Sequence, residues 1–367
     1  MKRSTLLATL LALATLSATT LATAADTAHL APAGTKLPPF MKLPPPTQMT
    51  ETTAGDIVFE TRTPYDFDVL LSRYQTLPRQ SGMGTLVLPA GASAKHPVPA
   101  VVLVHGSGGL TPGRESQYAA LLAANGFAAL YIDYYRPRGI TESTPYVVKT
   151  LGVTEFDAVS DAYSALRALN ADPAIDHKRI AIMGFSYGGM ATRIALDERV
   201  RDAIAPDLPP FAAHVDFYGP CFQDFHVKKT TGAPVLSLRG GEDASNDLAA
   251  CAQREIELRG AGSEVSSVIY ARAGHAWEAG KPRALNNYPY LAGCTISYDD
   301  AGFPSVGGKA VIPVGADPSR EQRFHLRMNM GDVMGACVKI GYIVGRDDAT
   351  RVQSDYQMLQ FLRRVLN

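Results

Sequence analysis

The run Gly184-Phe185-Ser186-Tyr187-Gly188-Gly189 follows an apolar stretch, Ile180-Ala181-Ile182-Met183, and precedes residues 190–196, which read as helix. A serine between glycines at a strand-to-helix turn is the setting of an activated nucleophile. The glycines matter sterically, because a turn this tight strains the serine backbone and leaves no room for flanking side chains. Ser186 is expected above the sheet, with the Tyr187 amide at a helix N-terminus able to donate to an oxyanion. A serine hydroxyl attacks only when a base takes its proton, and the base needs a carboxylate to hold its tautomer. Residues 235–238 lead into Arg239-Gly240-Gly241-Glu242-Asp243, and residues 265–270 into Ala271-Arg272-Ala273-Gly274-His275-Ala276-Trp277. The order Ser186, Asp243, His275 supplies nucleophile, acid and base for acyl transfer. Glu242, Asp247 and Asp224 stand as alternative acids. A helix cap at Asp243 and a loop histidine packed on Trp277 are the competing structural readings.

A second oxyanion donor is expected after residues 100–104, where His105-Gly106-Ser107-Gly108-Gly109 brings the backbone of Gly106 or Ser107 near the developing charge. Each such donor contributes about 3–4 kcal/mol at the transition state. The same loop, with Asp133 after the next strand, imitates a dinucleotide site, but Thr111 stands where that fingerprint needs its third glycine. There is no HExxH, EF-hand loop or P-loop, so no metal and no cofactor is expected. Of the remaining histidines, His29, His96, His177, His226 and His325 read as loop or surface residues and His214 as structural.

These groups need a scaffold. Short apolar runs at 85–88, 100–104, 128–132, 180–184, 215–218, 235–238 and 265–270 read as strands, most of them apolar throughout, as in a sheet covered on both faces. Between them, residues 153–169 repeat apolar side chains at three-to-four spacing (Val153, Phe156, Val159, Tyr163, Leu166), and 248–258 and 353–366 read as further helices. The alternation predicts a mostly parallel α/β sheet. Residues 280–345 lack this rhythm and are rich in Gly, Pro, Tyr and Asn.

Of 367 residues, 46% are hydrophobic, enough for a full core, and 35 Lys plus Arg balance 35 Asp plus Glu. No net field exists to hold nucleic acid or an anionic membrane surface. Met1-Lys2-Arg3, an uncharged Ala/Leu/Thr stretch and Ala22-Thr23-Ala24 form a signal-peptide pattern over residues 1–24, implying a periplasmic or secreted protein with no membrane attachment after cleavage. A proline-rich arm follows at 25–55. An oxidising compartment permits disulfides among Cys221, Cys251, Cys294 and Cys337. Of three pairings, Cys221–Cys251 and Cys294–Cys337 are favoured, because the first pair flanks neighbouring strands and the second lies in one late segment. Closing loops of about 30 and 43 residues would contribute roughly 3.5–4 kcal/mol each. No CxxC pair supports zinc.

The chain resembles the dienelactone hydrolase family of α/β-hydrolases in Val102-Leu103-Val104-His105-Gly106, in Asp133-Tyr134-Tyr135-Arg136-Pro137-Arg138-Gly139, in the serine turn, in Gly240–Asp243 and in Ala273-Gly274-His275. The resemblance implies a single α/β-hydrolase domain over 56–367, with a mostly parallel central sheet, helices on both faces and a late insertion at 280–345. It implies cofactor-free hydrolysis of a small-molecule ester or lactone. The founding members use a cysteine where Ser186 stands and a glutamate where Gly106 stands, so serine-esterase chemistry is implied instead. They hold a lactone carboxylate with arginines. Arg136 and Arg138, with Trp277 beside the histidine, are the candidate substrate contacts, while Ala279 occupies a position where an arginine would be expected. The rival readings are a prolyl-oligopeptidase-like peptidase or amidase, lacking that branch's N-terminal propeller, and a non-catalytic exported binding protein on the same scaffold.

Overall fold

The computed structural model describes residues 35–328 and 331–366; the expected signal peptide, residues 1–24, lies outside them. Eight strands form the central sheet: β1 (Gly55–Thr61), β2 (Gln80–Val87), β3 (Val98–Val104), β4 (Ala128–Ile132), β5 (Ile175–Phe185), β6 (Ala213–Phe217), β7 (Val235–Gly240) and β8 (Val265–Tyr270). Their spatial order is β1-β2-β4-β3-β5-β6-β7-β8. Strand β2 runs antiparallel to both neighbours and every pairing from β4 to β8 is parallel. This is the α/β-hydrolase architecture.

Strand β3 explains why the sheet must be covered twice. Val101 and Leu103 face a cluster with Tyr118 and Leu122 of the helix Glu115–Ala124 and with Met358, Phe361 and Leu362 of the closing helix, Asp348–Leu366. Val102 and Val104 face the opposite cluster, with Phe156, Val159 and Tyr163 of the helix Glu155–Asn170. Each such side chain contributes about 1.5–3 kcal/mol on burial. Helix Glu155–Asn170 starts where it does because the Asp157 carboxylate accepts from the Thr154 amide at 2.9 Å, capping its first turn.

The structure adds β1, an edge strand whose inward residues Ile57, Phe59 and Thr61 alternate with more exposed ones. It also extends the run at 85–88 back to Gln80, across Gly82 and Gly84, which carry no side chain to reveal the period. Tyr218, expected to end a strand, lies beyond β6 at a φ of 43°.

The late segment is built differently from the core. Residues Ala284–Leu285 pair with Ile343–Val344 and Pro289–Leu291 with Val338–Ile340, both antiparallel, making one narrow ribbon. Cys294–Cys337 closes it just beyond Leu291 and Val338. The segment also holds a helix the apolar periodicity did not announce, Arg320–Met328, whose inward face is cationic. Arg323 donates to both carboxylate oxygens of Asp68 at 2.9 and 2.8 Å, and Arg327 Nε to Asp66 at 2.9 Å. Arg320 caps the Gly152 carbonyl and lies over the ring of Phe40, tying the N-terminal arm down as well. Arginines at three-to-four spacing here do what an apolar stripe does elsewhere.

His214 in β6 is fully buried, its Nδ1 hydrogen-bonded to the Thr192 carbonyl at 2.8 Å and its Nε2 without a partner. Burial pushes its pKa down from 6.5 to about 4. The unfolded chain therefore binds a proton as pH falls through about 6.5, while the native chain resists until about 4. Stability is full above the upper value and falls by about 3 kcal/mol across that window from this residue alone. Denaturant melts at pH 7 and 4.5 should show the loss, and His214→Phe, although less stable at pH 7, should show a shallower dependence.

Candidate active site

Ser186 sits between β5 and the helix Tyr187–Ile194 with φ 54° and ψ −112°. A non-glycine residue held there carries strain of about 1–3 kcal/mol. The backbone is clamped by its own amide, which donates to the Phe217 carbonyl at 2.8 Å, and by its carbonyl, which accepts from Met190 at 3.1 Å. The neighbouring glycines are required by close approach: a Cβ on Gly188 would lie 2.1 Å from the Val104 carbonyl oxygen, and one on Gly184 would lie 2.0 Å from the Gly188 oxygen.

His275 Nε2 lies 2.8 Å from Ser186 Oγ, and its Nδ1 lies 2.6 Å from Asp243 Oδ2. A carboxylate at Nδ1 fixes the proton on that nitrogen, leaving Nε2 to accept from the serine. Glu242, Asp247 and Asp224 are engaged elsewhere. Glu242 pairs with Arg283, Asp247 caps the helix Leu248–Gly260, and Asp224 pairs with Arg254 at 2.7 Å.

Asp243 is itself held by groups that the sequence reading did not single out. Its Oδ1 accepts from the Ser245 amide and hydroxyl, and its Oδ2 accepts from Asn246 Nδ2 at 2.8 Å. Asn246 Oδ1 in turn accepts from the buried Arg239 at 2.8 Å, and Arg239 donates to Asp216 at 2.8 Å. The Cys221–Cys251 disulfide lies beside this line, joining the Gly219-Pro220 turn to the helix that follows the acid. The turn composition Asp243-Ala244-Ser245-Asn246 was the available signal, since Ser and Asn two and three residues after an Asp commonly donate back to its carboxylate.

The histidine loop is supported by the late ribbon: His275 N donates to the Ile343 carbonyl at 2.8 Å, and Gly345 N donates to the His275 carbonyl at 2.9 Å. The Tyr218 ring lies 4.6 Å from the imidazole and its hydroxyl donates to the buried carboxylate of Glu278. Gly106 stands directly beside the serine, since a Cβ there would be 3.3 Å from Ser186 Cβ. Among the described residues, the amides of Gly106 and Ser107 donate to no other group. Tyr187, first residue of its helix, has no carbonyl one turn earlier for its own amide. Its hydroxyl, donating to Glu155 at 2.6 Å, fixes the position of that amide. Gly106 and Tyr187 both adjoin Ser186, the first through space and the second along the chain.

Two expected substrate contacts are corrected. Arg138 is 1% exposed and every N–H of its guanidinium is used, on both oxygens of Asp161 (2.8 and 2.9 Å), Tyr134 O, Thr63 Oγ1 and Arg62 O. A buried cation is retained only when paired in this way, so none of its donors is left for a ligand. Trp277 is wholly buried, its Nε1 donating to Ser354 Oγ at 3.0 Å and its ring packed on Tyr218 and Tyr270. Arg136 is exposed. The four cysteines pair as Cys221–Cys251 and Cys294–Cys337.

The steric reading of the elbow has a direct test. Gly188→Ala drives a methyl into the β3 backbone and should lower stability by about 3 kcal/mol or more. Gly108→Ala, whose methyl would meet open space, should leave the melting temperature within about a degree.

Among curated proteins, the chain is 25% identical over 218 residues to an uncharacterized peptidase of Bacillus subtilis, covering 52% of this chain and 33% of that protein. It is 27% identical over 172 residues to a protein of Methylorubrum extorquens provisionally named carboxymethylenebutenolidase, covering 43% and 56%. The chain thus spans between a third and just over half of the length of these relatives. Among solved structures, apo esterase 2 of Thermogutta terrifontis matches at 19% identity over 53% of this chain and 80% of that one, with a TM-score of 0.44. The family model for dienelactone hydrolases matches residues 84–302. That span includes the oxyanion loop, the serine turn, the acid and the histidine, and the chain belongs to the dienelactone hydrolase family.

Proposed function

We propose that the protein hydrolyses carboxylic esters or lactones through Ser186, His275 and Asp243, with an acyl-enzyme intermediate and no cofactor. The observation that carries the reading is the unbroken hydrogen-bonded line from Asp243 through His275 to a serine held at positive φ. Ser186 Oγ attacks the carbonyl carbon while its proton passes to His275 Nε2. The carbonyl electrons move onto oxygen, which accepts from the amides of Tyr187 and of Gly106 or Ser107. Asp243 stabilises the imidazolium. Collapse expels the alkoxide, which takes the proton from His275; in a lactone it stays tethered to the acyl group. Water then attacks the acyl-enzyme, gives its proton to His275, and the acid leaves as Ser186 regains the proton.

Export is part of the proposal, supported by the two disulfides and the leader pattern at residues 1–24. Among the described residues, no helix is long and apolar enough to cross a membrane. The peptidase name of one relative favours a second reading, amide cleavage by the same groups. Turnover of a p-nitroanilide as fast as the matching p-nitrophenyl ester would shift the assignment to it.

Ser186→Ala should lower kcat by a factor on the order of 10⁶ and abolish labelling by a fluorophosphonate. Retained hydrolysis in that variant would remove Ser186 as the nucleophile, and an unlabelled, inactive wild-type protein would replace the enzyme reading with a binding role. Asn246→Ala, which deprives Asp243 of one donor, should lower kcat about tenfold with little change in KM, measured on one p-nitrophenyl ester.

A further inference from the structure

The late ribbon brings tyrosines to both sides of the serine. Tyr290 lies on the strand Pro289–Leu291, and Tyr288 immediately precedes it. The Tyr288 ring lies 5.1 Å from that of Tyr146, whose hydroxyl is 3.0 Å from Ser107 Oγ on the oxyanion loop. The Tyr290 ring lies 5.6 Å from Tyr342, and Tyr342 lies 5.4 Å from the His275 ring. Residues 288–290 thus connect through Tyr146 to the loop after β3 and through Tyr342 to the His275 ring, the two groups that adjoin the partly exposed Ser186. Their position is fixed at the inner end by the His275 and Val344 bridge and at the outer end by Cys294–Cys337.

Resting on the hydrolase reading above, we infer that this strand roofs the substrate site and that Tyr288, Tyr290, Tyr146 and Tyr342 select uncharged esters carrying an aromatic ring. Tyrosine offers wide apolar faces at a small cost in conformational entropy, and rings pair with rings at the centroid distances these four already keep. The charge pattern points the same way. Arg138 is spent on Asp161, and Arg114, the buried cation beneath the serine turn, is spent on Glu115 and Glu278. A carboxylate-bearing substrate would lose its water against tyrosine rings while both of these buried cations are already paired.

The test measures kcat/KM on matched pairs with the full mature chain, methyl cinnamate against methyl hexanoate and benzyl acetate against hexyl acetate. The ring should be preferred about tenfold or more in at least one pair. Tyr288→Leu and Tyr290→Leu should reduce that ratio to about threefold or less through KM of the aromatic ester, while Tyr288→Phe and Tyr290→Phe, which keep the ring, should preserve it. Methyl 4-carboxycinnamate should be about tenfold poorer than methyl cinnamate. No ring preference in either pair, a preference untouched in both Leu variants, or equal use of the carboxylated ester overturns the inference. If Ser186→Ala is inactive while these ratios are flat, only the tyrosine roof fails. If Ser186→Ala remains active, the reading of Ser186 as nucleophile fails, and with it the site on which the tyrosine roof rests.

Discussion

The close approach of helix Tyr187–Ile194 to strand β3 is the constraint on which the site depends. With no side chain on Gly188, the first turn of that helix presses against the Val104 carbonyl, and with none on Gly184 the strand can pass beneath it. Only in that geometry does Ser186 take its left-handed backbone and turn its hydroxyl away from the sheet, while the same turn sets the Tyr187 amide beside it. Gly106 completes the arrangement, since a Cβ there would lie 3.1 Å from the Phe185 carbonyl oxygen and 3.3 Å from Ser186 Cβ, so the β3 loop lies tightly against the serine. Strain concentrated at one residue is held by a sheet whose central strands are buried on both faces.

Much of this could be read from residue order alone. The apolar strands were visible because they are buried on both faces, and Ser186, Asp243 and His275 because each ends or follows such a strand. What stayed hidden depends on contacts between distant residues. Arg138 and Trp277 have the side chains of a binding site, but Asp161 lies on the helix Glu155–Asn170 and Ser354 on the closing helix, and only the fold brings each to its partner. Strand β1 was hidden by its half-exposed edge position. The helix Arg320–Met328 was hidden because its buried face pairs Phe324 with arginines, which apolar periodicity does not count.

Two kinds of cohesion meet at the histidine. The sheet is held by apolar burial, which is non-directional, whereas the acid is positioned by a directional chain of donors from Ser245 and Asn246 back to Arg239 and Asp216. The late segment adds a third kind, buried ion pairs of Arg323 and Arg327 with Asp66 and Asp68, together with a disulfide. Removing one partner of such a pair leaves an uncompensated charge, so these contacts fix one position of the segment more than they favour its folding in general.

The ribbon leaves and re-enters the body of the protein at adjacent points, Ala284 opposite Val344. An excursion whose two ends are already paired carries its own chain-closure entropy, and that cost grows only slowly with the length of what lies beyond. Where the segment does not reach back to the body, as at the exposed strand Val338–Ile340, its composition can change without moving Ser186 or Asp243; where it does, as at Arg323 and Arg327, it cannot. Its inner end, hydrogen-bonded to His275, stays with the catalytic frame. The segment thereby has two parts: an inner end built into the frame around His275, and an exposed outer edge that can vary without disturbing it.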